Sequence, residues 1–348
     1  ALSSLSFSKY ALTSVTPKIQ TLTTANGAFS DVAILSDGSY IVTWRDCLGS
    51  DAGQWPYSDP MAYEWDIYSQ RFSADGSDIT QPIIVSGKSV ISPQYILSSQ
   101  VQPLEDGGYL IYSYCDDNGS DGIWNRGIWY WTYDGSNQPV SGPTMGSPYL
   151  DFSYSGDGGL AHVNGYIVSA THYLSNSWDL GLQVLSPDGS RLLYSNVSTA
   201  FDGDQRMAEV VPLADNERVL LVWSDQSGAL DSSGRGVYGR VFSTASLSFV
   251  TPQFVINQDF SGDESGWGGI YEQDAYALAS LHDGGFAVFW HDGANGYVQG
   301  RFYNGSEQNY SPRTNEFIAS TTDRGDEHFV DAGVSPNGNV FIVYASTN

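Results

Sequence analysis

An all-β fold, a six-bladed β-propeller of four-stranded antiparallel blades, is what three features of this sequence predict. The first is a recurring hairpin: "LSDGSYIVTWRD" at 35–46 returns as "LEDGGYLIYSYCDD", "LADNERVLLVWSD" and "LHDGGFAVFWHD". The second is its spacing, because alignment on the final aromatic gives Trp44, Tyr114, Ala170, Trp223, Trp290 and Tyr344, about one blade length apart. The third lies at the two ends. The last copy stops after its second strand at "NVFIVYASTN", while "SLSFSKYALTS" near the beginning reads as the outer part of a blade. Residues 1–14 are therefore expected to close the last blade and hide two strand edges.

Taken in order, each copy opens with a short apolar strand ("DVAIL", "GGLAHV", "AEVVPL", "AYALASL", "FVDAGV"). A Gly, Asp or Asn turn leads into a strongly apolar second strand. A third follows as "DIYSQRF", "GIWYWTY", "LGLQVL", "GVYGRVF" or "YVQGRF", and a weaker fourth comes after a tight turn such as "SADGS" or "SPDGS". The blades are placed at 15–80, 81–140, 141–195, 196–250, 251–311 and 312–348 plus 1–14, in one domain spanning 1–348. Composition agrees, since 14% aromatic residues and 38 glycines combine strand-forming bulk with frequent turns.

Loop length separates the two ends of the blades. Connections between first and second strands are tight, whereas "RDCLGSDAGQWPYSDPMAYEWD", "CDDNGSDGIWNR" and "NQDFSGDESGWGGIYEQD" are long and belong to the opposite face. Scaffolds carry function on such loops, so this face is the expected site.

The charge is lopsided: 39 acids against 14 bases give a formal net charge of −25. That field repels phosphate backbones and anionic lipid, which argues against nucleic acid and membrane-surface partners. No apolar run reaches the ~20 residues of a membrane span, so the chain is expected to be a mature soluble product or an excised domain, secreted. The two cysteines, Cys47 and Cys115, exclude a Cys-rich zinc site and leave room for one disulfide.

The unit "L.DGG(F/Y).V.W.D … G.Y.(Q/G)RF...G" resembles the propeller-type repeats of large secreted bacterial proteins, including RTX-type calcium-dependent adhesins and matrix proteins. Blade three ("GYIVSATHY", "LGLQVL") departs from it, lacking the Trp and the RF pair. The resemblance implies a secreted adhesion or matrix module that binds carbohydrate.

Three sets of candidate residues follow. Asp46, Asp116, Asp225 and Asp292 end the second strands, with His172 in the corresponding place of blade three; together with Asp117, Asn118 and Asp121 the carboxylates offer hard oxygen ligands for Ca2+. The same acids also suit Asx turns at loop starts. Trp55, Trp65, Trp124, Trp178 and Trp267 lie in or beside the long loops, where rings stack on sugar faces. His172, His291, His328, Tyr173, Tyr271 and Arg206 could supply base, acid and carboxylate neutraliser for an enzyme, either a lyase acting on uronic acid polysaccharide or a glycoside hydrolase. The leading expectation is a secreted carbohydrate-binding propeller with bound calcium, its partner a polysaccharide or glycan. The alternative is a polysaccharide-degrading enzyme.

Overall fold

The computed structural model describes residues 28–47, 65–74, 77–86, 95–96, 99–104, 106–118, 124–145, 158–174, 178–186, 190–199, 202–228, 230, 236–258, 276–292, 297–320, 326–334 and 338–347. They fall into two compact units, 1–148 and 149–348. The fold is an all-β propeller.

In the first unit, blade one runs β1 (Ala28–Ile34), β2 (Tyr40–Cys47), β3 (Trp65–Phe72) and β4 (Ile83–Ser86), hydrogen-bonded in that order. Blade two comprises β5 (Tyr95–Ile96), β6 (Gln100–Pro103), β7 (Tyr109–Asn118), β8 (Trp124–Tyr133) and β9 (Pro139–Met145). Here β5 and β6 share the inner edge, both pairing with β7. Alternation along β1 to β3 turns Ala33, Leu35, Ile41 and Ile67 into one apolar layer with Val101, Tyr109, Ile111, Trp131 and Tyr133 of blade two.

The second unit holds β10 (Gly158–Val163), β11 (Tyr166–Leu174), β12 (Trp178–Leu185) and β13 (Arg191–Asn196) as blade three. Blade four is β14 (Gln205–Pro212), β15 (Arg218–Asp225), β16 (Gly236–Ser243) and an outer edge shared by β17 (Ser248–Phe249) and β18 (Phe254–Val255). Blade five is β19 (Tyr276–Ser280), β20 (Phe286–Asp292), β21 (Tyr297–Tyr303) and β22 (Phe317–Ile318). Trp223 joins the layer between blades three and four and Trp290 the layer between four and five, both fully buried. Burial of an aromatic that size stabilises by about 2–3 kcal/mol.

The expected sixth four-stranded blade is corrected. Among the described residues, five sheets span four strand positions, and the last sheet is a two-stranded hairpin of β23 (Asp326–Val334) and β24 (Val340–Thr347). The described residues supply no third or fourth strand to it, and residues 1–14, expected to close it, lie outside them.

The tight turns follow one chemistry. Asp37, Asp106, Asp215 and Asp283 each accept, through Oδ1, a backbone N–H two residues on. The next position is left-handed, at φ 82° in Gly38 and Gly284, a region glycine enters without steric cost. Arginines from elsewhere in the blade then bind the second oxygens: Arg71 of β3 reaches Asp37 at 2.7 Å and Arg313, between β21 and β22, reaches Asp283 at 2.9 Å. Hydrogen bonds from Ser39, with Arg71 assisting, hold Asp37 below the ordinary carboxylate range. Burial pushes Asp283 up, but the Arg313 and Gly285 hydrogen bonds outweigh it and leave it lowered. No described helix is long and apolar enough to cross a membrane.

Candidate functional site

Strand register decides which residues share a place at the long-loop ends of the blades. At the tight-turn end the second and third strands pair as Tyr40↔Phe72, Val219↔Phe242 and Phe286↔Tyr303. Six residues on stand Asp46, Asp225 and Asp292. Blades two and three are anchored the same way by Tyr109↔Tyr133 and Ile167↔Leu185. The equivalent residues there are Cys115 and Tyr173, so Asp116 falls one residue past this place and His172 one before it. The expected alignment is corrected accordingly: strands alternate with period two, and a one-residue slip is a change of face. Cys47 and Cys115 likewise differ by one step, which removes the equivalence that suggested a disulfide.

The two of these aspartates whose side chains are described are buried. Asp225, fully buried, accepts the Trp223 indole N–H on Oδ2 at 3.1 Å and the Ser227 backbone N–H on Oδ1 at 2.8 Å, with the Ser198 hydroxyl at 3.4 Å from Oδ2. That is an Asx turn with an indole added. Asp292, also buried, accepts from Gln299 Nε2 at 3.2 Å. Both oxygens of Asp225 thus accept hydrogen bonds from the protein. Among the described residues no three His, Cys, Asp or Glu gather as a metal-holding group. Asp121 lies outside the described residues, and Asp46, Asp116, Asp117 and Asn118 are placed by their strands alone.

Among the expected sugar-binding residues, Trp65, Trp124 and Trp178 each open a third strand. They pair with Cys47, Asn118 and Leu174, at the long-loop end of their hairpins. Trp55, Trp267 and Tyr271 lie outside the described residues. His172 and Tyr173 sit near the end of β11, His291 is half-buried beside Asp292 in β20, and His328 lies on β23 opposite Ala345.

Arg206 leads to a feature the sequence reading missed. On β14, Arg206 pairs with Ser224 and Glu209 with Val222, so Met207 and Ala208 oppose Trp223 alone: the strand bulges. Met207 sits at φ 53° and is buried, a conformation that costs a bulky side chain of order 1–3 kcal/mol and persists where the surroundings enforce it. The same bulge recurs in β1 and in β23, between Ala28 and Asp31 and between His328 and Asp331. In all three inner strands the residue after it is an acid: Asp31, Glu209 or Asp331. The strings "FSD", "MAE" and "FVD" ahead of the apolar run are the signal that could have revealed them.

These acids do not all have the same surroundings. Asp31 accepts its neighbour Val32 N–H and, through Oδ2, the Val101 N–H of blade two at 2.8 Å, and so ties two inner strands together. Glu209 is half-buried. Arg206 Nη2 lies 2.8 Å from Asp204 Oδ2, both partly exposed. The loop before it is fixed by Gly203 at φ 76°, where a Cβ would come within 2.4 Å of the Gln226 carbonyl. Gln205 Nε2, fully buried, donates to the Asp202 and Gly203 carbonyls at 3.3 and 3.2 Å. Blade four thus carries, on its inner strand, a strained bulge flanked by a cation and a carboxylate.

Blades of antiparallel strands in this order define a β-propeller. No protein-family model matches the chain, and comparison with curated proteins finds no match. Among solved structures it is similar to the Penicillium chrysogenum α-L-arabinanase complexed with arabinobiose, at 13% identity and TM-score 0.50, covering 92% of this chain and 93% of that one. It is also similar to the Streptococcus pneumoniae NanB sialidase, at 10% identity and TM-score 0.51, covering 92% of this chain and 65% of the sialidase. Likeness at such identity is a likeness of fold.

Proposed function

We propose that this chain is a secreted carbohydrate-active propeller that hydrolyses glycosidic bonds at the long-loop ends of its blades. The observation that carries the reading is the Arg206–Glu209 bulge, where backbone strain at Met207 is held on an inner strand. Fold-level analogy with an arabinanase and a sialidase supports the class of chemistry. Most glycoside hydrolases use two carboxyl groups, sialidases with their tyrosine nucleophile being an exception. One, protonated, gives its proton to the leaving glycosidic oxygen as the bond to the anomeric carbon breaks; the other takes a proton from the water whose oxygen attacks that carbon. Glu209 and Asp331 hold the matching place on bulged inner strands of the second unit and are the candidates for these roles. Arg206 would orient the substrate.

The test is release of reducing ends from a panel of polysaccharides. Glu209→Gln should lower turnover by about 10²–10⁴-fold while leaving glycan binding and melting near wild type. An unaltered rate would remove Glu209 from the chemistry, and wild-type protein that cleaves none of the panel would overturn the hydrolase.

The second reading is an adhesion or matrix module that binds glycan without cleaving it, with calcium on its acidic loops. The Trp65, Trp124 and Trp178 positions at the loop ends favour it. Binding without turnover, together with a melting temperature raised by calcium and restored by chelator, would select it.

A further inference from the structure

Blades three, four and five each lay an aromatic ring of the outer strand over a glycine of the third. In blade four the ring is Phe254, paired with Gly239, and in blade five it is Phe317, paired with Gly300; a Cβ at either glycine would stand 3.0 Å from the phenyl ring. Both phenylalanines are half-buried and pack against the apolar core on that side of their blades. In those two blades the contact is core packing.

Blade three makes the contact on its other face. Leu193 packs against the core shared with blade four, so Tyr194, the next residue of β13, points the opposite way. Its ring lies over Gly181 of β12, where a Cβ would come within 2.7–3.0 Å of the ring and its hydroxyl. Tyr194 is 42% exposed, so the glycine here draws close to the strand a ring that solvent still reaches. Asn196, paired with Gly181, and Gln183, paired with Tyr194 itself, share that face. Asn196 is exposed, whereas Gln183 is 1% exposed and its Nε2 has no hydrogen-bond partner among the described residues. A buried donor left over in this way costs stability until a group from outside the chain accepts from it.

An exposed ring flanked by two amides suits a sugar, whose C–H face stacks on the ring while its hydroxyls exchange hydrogen bonds with the amides. Resting on the carbohydrate reading above, we infer that the outer edge of blade three is a second glycan-binding site, with one sugar ring of a polysaccharide seated on Tyr194 and hydrogen-bonded by Asn196 and Gln183. This site stands on the outermost strand of its blade, apart from Arg206 and Glu209 on the inner strand of blade four, and so holds polymer without touching the bond that is cleaved.

The experiment is affinity electrophoresis of the full chain through gels containing galactomannan, xyloglucan or polygalacturonate, with reducing-end release from short oligosaccharides of the same sugars measured alongside. Tyr194→Ala should weaken retardation by the best-bound polymer about three- to tenfold. Gly181→Ala, which lifts the ring without removing it, should weaken it as well, and Tyr194→Phe should keep most of the wild-type value. The two Tyr194 variants are expected to melt near wild type, because the ring is exposed, and to cleave oligosaccharides at the wild-type rate. Retardation of Tyr194→Ala equal to that of wild type overturns the inference and leaves the carbohydrate reading standing. A loss of oligosaccharide cleavage in step with the loss of retardation also overturns it, by placing Tyr194 in the site already proposed. Failure of every polymer to retard wild-type protein overturns both.

Discussion

Arg301 donates through Nη1 to the carbonyl of Ile256, 2.8 Å away at the end of the preceding blade, and through Nε to the carbonyl of Thr314 at 3.3 Å in its own. Arg240 repeats the arrangement with Val197 at 2.8 Å and Thr251 at 3.2 Å. In both blades the same threonine hydroxyl accepts the next backbone N–H of the third strand, Val241 or Phe302. One guanidinium therefore fastens the outer strand of its own blade and the tail of the one before.

Removing this fastening should be costly. Arg301→Met keeps the apolar stem but leaves the buried Ile256 carbonyl with fewer donors, and is expected to destabilise the second unit by about 2–3 kcal/mol in urea melts. Arg301→Lys should recover little, because an ammonium cannot present two separated donors from one plane. A lysine variant as stable as wild type would show that charge alone matters.

Asp225 separates a cap from a metal ligand. Asp225→Ala strands the Trp223 indole N–H and the Ser227 N–H, and should lower stability by about 2–4 kcal/mol, equally in calcium and in chelator. If the loss appeared only in calcium, the carboxylate would be a ligand.

The turn carboxylates set an acid limit. Asp283 is lowered from the ordinary 3.8, so its ionised form is the one the fold prefers, and its contribution is present above the unfolded value and lost as pH falls through the folded one. Asp283→Asn should therefore be less stable than wild type at neutral pH, with the gap closing as pH drops through 3.8 and below. A gap that widened in acid would reverse the sign of the linkage.

The β23–β24 hairpin has a test of its own. A two-stranded sheet is marginal in water, and the proposal is that residues 1–14 extend it. Deleting them should lower the melting temperature or promote aggregation, and a truncated chain that melts like the intact one would dismiss that closure.

The hairpins, the tight Asp-Gly turns and the division between short and long loops were legible because each is written in local chemistry. Register was not. Blade two offers aromatics at both Tyr112 and Tyr114, and the sequence alignment took Tyr114 where pairing makes Ser113 the equivalent of Trp44. The bulges escaped for a different reason: one extra residue between Arg206 and Glu209 leaves no mark in composition, and the acid that follows it in "FSD", "MAE" and "FVD" takes on meaning once two strands are counted against each other. Burial was not legible either: Asp225 and Asp292 end their strands as loop-start acids in the sequence, and the structure buries both, Asp225 against the Trp223 indole and Asp292 beside the Gln299 amide.

The arginine fastening also imposes an order in time. Val197 and Ile256 wait for partners 43 and 45 residues downstream. At about 5–20 residues per second on the ribosome, each finished tail stands unlatched for roughly 2 to 9 seconds. At these two joints the tail of a blade is made before the strand that latches it.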